Sequence, residues 1–203
     1  MADTRDRLLT ATNESFRRRG YNGTSLKHVT TAAHAPTGSL YHFFPGGKDE
    51  LAAEVITTSG AAYRELFEAI ADAAASPGDA VTDFFEGAAL VLEETDFIDP
   101  CPIGTVAREV ASTNEPLRVA TERVFQSWID VATTRLAAAG VDRDEADRIA
   151  TAIIAALEGS FVLARAKRDA EVLRTTGRVM RRALEDAHSV VLHRVQGSAA
   201  GRG

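Results

Sequence analysis

The chain has 203 residues, 45% of them hydrophobic and 26% charged, with a single cysteine and a formal net charge of −6. That length can bury a sizeable core, the lone Cys101 excludes an internal disulfide, and no apolar run reads as long enough to span a bilayer. With no signal-type apolar stretch in the opening MADTRDRLL, these features point to a cytoplasmic protein without a membrane partner.

The pattern predicts helices nearly throughout. Asp3 or Thr4 caps a first helix, with Leu8, Leu9, Thr12 and Phe16 on one side and Gly20 as its stop. Thr24 or Ser25 caps a second, whose inward positions are Leu26, Val29 and Ala33. His34-Ala35 makes a turn, and Pro36 suits the first turn of a third helix, where its missing N–H costs nothing. Pro45-Gly46-Gly47 ends that helix near Phe43 or Phe44.

A long fourth helix is expected from Lys48 to about Ala75, with Leu51, Val55, Ala62, Leu66 and Ile70 along one face. Ser76-Pro77-Gly78-Asp79 breaks the chain before a fifth helix carrying Val81, Phe84, Phe85, Ala88 and Leu92. Asp96–Gly104 reads as a loop leading to a short helix over Val106–Ala111. Asn114-Glu115-Pro116 opens a helix with Leu117, Val124, Trp128, Ala132 and Leu136, stopped by Gly140. Between Arg148 and Arg165 the next helix carries one charge, Glu158, so it must be covered on more than one side. The last helix, about Ala170–Val195, has a seam of Leu173, Gly177, Met180, Leu184, Ala187 and Val191, the spacing of a helix packed on other helices. No internal repeat occurs, and no alternating pattern supports a sheet.

Charge singles out the first three helices. Residues 1–48 hold seven bases (Arg5, Arg7, Arg17, Arg18, Arg19, Lys27, Lys48) against three acids, a net of +4; since the total is −6, the remainder carries −10. A basic head on an acidic body can approach phosphates with one end only. In that head, Leu26, Val29, Ala33, Leu40 and Phe44 would clamp helices two and three together, leaving Thr37, Gly38, Ser39, Tyr41 and His42 to face out. A helical hairpin with a merely solvated face has the same spacing. Tyr41, His42 and Phe43 in a row argue against it, because a solvated face rarely exposes two aromatics and a histidine.

The segment GYNGTSLKHVTTAAHAPTGSLYHFFPGGKDEL, Gly20–Leu51, closely resembles the DNA-binding head of the TetR family of bacterial transcriptional regulators. The matching landmarks are Gly20-Tyr21, Thr24-Ser25, Ala32-Ala33, the run Gly38–Phe44 and Lys48–Leu51. Ala35-Pro36, Pro45-Gly46-Gly47-Lys48 and Cys101-Pro102-Ile103-Gly104 are similar to its LmrA/YxaF branch. The resemblance implies that Thr24, Ser25 and Lys27 touch phosphates. It implies that Thr37, Gly38, Ser39, Tyr41 and His42 reach phosphates and base edges, and that Lys48 holds a further phosphate. Two positions depart from the family pattern: His34 stands where glycine is usual, in a turn that can require a left-handed backbone, and Thr37 stands where Lys or Arg is frequent.

Other chemistry finds little support. Gly46-Gly47-Lys48 is not a phosphate loop, since His42 stands at the first glycine and Asp49 at the Ser/Thr. Glu185-x-x-His188 occurs once, whereas a carboxylate-bridged di-iron bundle needs it twice. No metal, cofactor or catalytic set is expected. Glu158 is a polar anchor for a ligand, half of an ion pair with an arginine such as Arg108 or Arg123, or exposed at an interface rim. Phe84, Phe85, Phe97, Phe125, Trp128 and Phe161 could line an effector pocket with it, although aromatics at helical spacing are more often plain core.

The expectation is an all-α chain with a three-helix helix-turn-helix head (1–48), a larger helical body for effector and dimer (49–196) and a disordered tail (197–203). The resemblance implies a homodimeric repressor on double-stranded operator DNA, released by a small apolar effector. The dimer bundle would use Ile153, Leu157, Leu173, Met180, Leu184 and Val191. A helical interaction module, or an activator without effector-controlled repression, is the alternative.

Overall fold

The computed structural model describes residues 3–98 and 100–200, with side chains through residue 187. Its elements are α1 (Thr4–Arg19), α2 (Leu26–Ala32), α3 (Thr37–Phe43), α4 (Lys48–Ala73), α5 (Pro77–Glu94), α6 (Pro102–Val110), α7 (Glu115–Ala138), α8 (Arg143–Lys167) and α9 (Glu171–Ala200), with no strand among the described residues. The chain forms two compact units, one of Met1–Tyr63 and Ile98–Phe125, the other of Arg64–Phe97 and Gln126–Gly203. This division is not a single cut at residue 48. Charge and motif mark a role, whereas compactness follows packing, and α6 packs on α1.

In the first unit, Leu8, Phe16, Val29, Leu40, Phe44, Leu51, Ile56, Ile103 and Leu117 are buried. Asp3 caps α1 by accepting from the Thr4 N–H at 2.6 Å. Gly20 ends α1 with φ 70, a conformation that favours glycine. Glu109 of α6 leans on that glycine: a Cβ at Gly20 would lie 1.8 Å from Glu109 Oε1, and the other carboxylate oxygen accepts from the Asn22 N–H at 2.7 Å. The positive φ is what favours glycine at position 20, since the Glu109 carboxylate is the end of a flexible side chain and could move aside. Helix α6 starts at Pro102, inside the segment expected as loop. The Cys101 sulfur accepts from the Gly104 N–H at 3.4 Å and caps it, and Pro102 occupies the first turn without cost. In α4, Leu51, Ala52, Val55, Ile56, Ser59 and Gly60 are buried, but Ala62 and Leu66 on the expected stripe are exposed. The pattern recorded an apolar face without recording whether an element covers it.

The second unit packs α9 against α5 and α8. Gly177 lets α9 approach closely, since a Cβ there would lie 2.7 Å from Phe85 Cβ. Ion pairs flank the contact. Arg181 donates to Asp79 at 2.6 Å, while Arg174 donates to both oxygens of Glu86 at 3.0 Å and to those of Glu93 at 2.8 and 2.9 Å. Helix α8 buries Ile149, Ile153, Ile154, Leu157, Phe161 and Ala164. By length and composition alone α8 could cross a membrane, contrary to the sequence expectation; in the fold those apolar residues form core. Helix α9 continues to Ala200, into the segment expected as a tail. Nothing between Gly197 and Ala200 breaks a helix as proline would, and Ala199 and Ala200 favour one. Residues 201–203 lie outside the described residues.

Candidate nucleic-acid interface

Ser25 starts α2: its backbone is extended, and its Oγ accepts from the His28 N–H at 3.2 Å. Val29, Ala33, Leu40 and Phe44 are buried and clamp α2 to α3 as expected, while Leu26 is half-buried. The turn follows a glycine-type helix ending. The Ala35 N–H reaches back to the Thr30 carbonyl at 2.9 Å and the His34 N–H to Thr31 at 3.2 Å, pairing two carbonyls the helix leaves open. This closure places His34 at φ 49, in the left-handed region. For an L-residue that costs about 1–2 kcal/mol. Pro36 is the cap of α3 and lies one residue outside its expected first turn. Its carbonyl accepts from the Ser39 N–H at 3.0 Å, so that oxygen opens the helix.

The outer face of α3 presents Thr37, Gly38, Tyr41 and His42, all exposed, with Ser39 half-buried. Tyr41 is 51% exposed, and no atom lies within 4 Å of where a Cβ would stand at Gly38. Lys27 is exposed on α2. Lys48 is half-buried, with Nζ 4.1 Å from the centre of the Tyr21 ring. The Tyr21 hydroxyl donates to one Asp49 oxygen, and Asn114 donates to the other at 3.1 Å. Burial, reinforced by the Asp49 carboxylate, pushes the Tyr21 hydroxyl up to about 12. Burial pulls the Lys48 ammonium below its ordinary value, against the opposing pull of Asp49 and Glu109.

Thr24 corrects an expectation. Its side chain is buried, its hydroxyl lies 2.8 Å from Ser15 Oγ, and it donates to the Gly20 carbonyl at 2.7 Å. Thr24 joins α1 to the start of α2, and the adjacent Ser25 is the residue that faces out. Much of the basic charge of the head is also engaged internally. Arg18 pairs with Glu14 at 3.2 Å, Arg5 pairs with Glu54, and Arg7 Nε donates to the Ala33 carbonyl at 3.0 Å. The sequence showed Arg5 and Arg7 only as charge, because their partners lie 49 and 26 residues away and no spacing rule reaches them.

Residues 8–55 match the family described as bacterial regulatory proteins, tetR family, and residues 77–179 match the C-terminal domain of LmrA/YxaF-like transcriptional regulators. The chain belongs to the TetR family. The HTH-type transcriptional regulator YxaF of Bacillus subtilis (strain 168) is 35% identical over 167 residues, 82% of this chain and 87% of that one. LmrA of the same strain is 30% identical over 161 residues, 79% and 86%. A crystal structure of a TetR transcriptional regulator from Legionella pneumophila shares the fold, with a TM-score of 0.80 at 22% identity over 90% of this chain and 98% of that one.

In the body of this TetR-family regulator, the candidate effector residues divide. Phe125 belongs to the first unit and is half-buried; Phe84, Phe85, Trp128, Glu158 and Phe161 belong to the second. Phe85 is fully buried against Gly177, so it is core of the α5–α9 contact and not a free pocket wall. Phe84 is half-buried and meets Phe67 edge-on, with ring centres 5.4 Å apart. Trp128 and Phe161 are buried, and Glu158 is half-buried.

The expected dimer residues divide too. Ile153, Leu157, Leu173 and Leu184 are buried within this one chain, and Met180 is half-buried. The heptad-like seam of α9 is used up inside the subunit, where α9 packs on α5 and α8. Val191 lies outside the described side chains. The large apolar residues that α8 and α9 expose are Val162, Leu163 and Val179.

Proposed function

We propose that this TetR-family regulator is a dimeric repressor, active in the cytoplasm, that leaves a near-palindromic operator when a small apolar molecule binds its body. The observation that carries the DNA reading is the outer face of α3: Thr37, Gly38, Tyr41 and His42 stand exposed on a helix whose other side, Leu40 and Phe44, is fully buried. A short helix held from behind, with small polar and aromatic groups in front, fits a major groove. Ser25, Lys27 and Lys48 supply phosphate contacts on its flanks. Two copies would place their α3 helices in successive major grooves, about 34–36 Å apart.

The exposed Val162, Leu163 and Val179 support a subunit interface on α8 and α9 in place of the buried seam. For the effector, Trp128, Phe161, Phe84 and Glu158 are the groups assigned, the aromatics for apolar area and the carboxylate for orientation. Helix α4 runs from Lys48 into the second unit, so a ligand that favours one setting of α4 biases the spacing of the heads.

A mobility shift on DNA upstream of the gene tests the groove reading, with Tyr41→Ala as control. Wild-type protein should give a salt-sensitive, sequence-selective shift that the variant loses; a wild-type shift indifferent to sequence contradicts the reading. A thermal-shift ligand screen repeated with operator DNA tests repression by release. A true effector raises the melting temperature and antagonises DNA binding.

A further inference from the structure

We propose that Arg5 and Arg7 of α1 are positioning residues that brace the two ends of the recognition helix α3, and that they are not phosphate contacts. Arg7 acts at the entrance to α3. Its Nε donates to the Ala33 carbonyl at 3.0 Å and its Nη2 to Thr4 Oγ1 at 3.2 Å. Ala33 ends α2 and immediately precedes His34, the residue held at φ 49. A cation on a carbonyl at a helix C-terminus makes a charge-assisted bond where the helix dipole is negative. That bond holds the turn in a conformation the histidine disfavours. Arg5 acts at the exit. Its guanidinium lies 5.6 Å from the centre of the Phe44 ring and pairs with Glu54 of α4. Phe44 is the residue that ends α3.

A helix of seven residues cannot hold its own conformation in water. Its aim therefore depends on what fixes its ends, and both fixings come from the first turn of α1. Both arginines are engaged inside the head, Arg7 with the Ala33 carbonyl and Thr4, and Arg5 with Glu54 and the Phe44 ring, while 39% of the Arg5 side chain stays exposed. The brace also accounts for the departure at position 34. A family turn with glycine adopts the left-handed backbone freely, whereas this chain holds a histidine there with Arg7.

The inference rests on α3 being the groove-reading helix, and the experiment separates the two. Operator affinity of the full-length protein is measured against salt concentration for wild type, Lys27→Ala, Arg7→Ala, His34→Gly and the Arg7→Ala/His34→Gly double variant. Lys27→Ala should lower the slope of log K against log salt by about 1, as loss of a phosphate contact does. Arg7→Ala should weaken binding about tenfold with the slope held, because only the fraction of protein with a competent turn falls. His34→Gly alone should change affinity less than about twofold, and in the double variant should bring it back to within about threefold of wild type, because glycine keeps the turn without the strap.

A slope lowered by about 1 in Arg7→Ala overturns the proposal and makes Arg7 a phosphate contact. A loss that persists in the double variant overturns it as well. Should Arg7→Ala lose its helical circular dichroism, Arg7→Gln is judged by the same two readouts. Wild-type protein without sequence-selective binding refutes the groove reading itself, before any arginine variant is compared.

Discussion

Gly177→Ala tests the closest helix approach in the second unit. The added Cβ would stand 2.7 Å from Phe85 Cβ and 3.0 Å from Phe85 Cγ. Unstrained carbon contacts are about 3.5–4.0 Å, so a gap of roughly 1 Å must open. The obstacle is the root of the Phe85 side chain, which cannot swing away without moving α5. Ion pairs from Arg174 and Arg181 hold α5 and α9 together around it. Overpacking of this kind costs about 1–3 kcal/mol, while replacing a helical glycine by alanine returns about 1 kcal/mol. The net expectation is a loss of about 1 kcal/mol, or a melting temperature lower by about 3 °C. Gly87→Ala, on α5, is the internal control, since no atom lies within 4 Å of its Cβ position. That substitution should raise the melting temperature by about 2 °C through helix propensity alone. Both are read by thermal and urea melts at one protein concentration. If Gly177→Ala stabilises as Gly87→Ala does, the packing argument is wrong.

Three further outcomes are expected. Tyr21 is a neutral acid held above its ordinary value, so the stability it contributes is complete below pH 10 and is lost as pH rises through about 12. Urea melts across that window should show wild type losing stability relative to Tyr21→Phe, and parallel curves would contradict the assignment. Leu163→Asp with Val179→Asp should convert a dimer to monomer in sedimentation while leaving helical content intact; an unchanged dimer removes that face from the interface. Arg174→Ala, at a side chain 22% exposed, leaves two carboxylates facing each other. It should destabilise by about 1–2 kcal/mol in urea melts, the upper end being reduced by solvent screening.

Helix order was legible where a boundary carries local chemistry: Asp3 and Ser25 as caps, the Ser76-Pro77 break, and Gly20 and Gly140 with positive φ as stops; the start of α6 at Pro102 and the end of α9 at Ala200 were not. The outward set on α3 was legible for the same reason, since its inward partners fall one helical turn apart. Thr24 was not, because Thr24 and Ser25 are equally good caps. Only the fold shows that one of them turns inward to Ser15. Leu173 and Leu184 were misread as intersubunit because periodicity states that a face is covered without naming what covers it. The Arg5 and Arg7 contacts are tertiary, and no local rule reaches across 26 or 49 residues.

The contact between α5 and α9 carries a hidden ambiguity. Its acids, Asp79, Glu86 and Glu93, recur every seven residues, and so do its bases, Arg174 and Arg181. Slide α9 along α5 by seven positions, and Arg181 meets Glu86 while Arg174 keeps Glu93; only Asp79 loses its base. Charge supplies attraction here but distinguishes one alignment from the next only weakly. What distinguishes them is the missing side chain at Gly177, because the slip would bring Leu184 to the place where Phe85 now meets no Cβ. The glycine works as a notch on an otherwise repeating ruler, and a library that varied position 177 would select for alignment before it selected for strength.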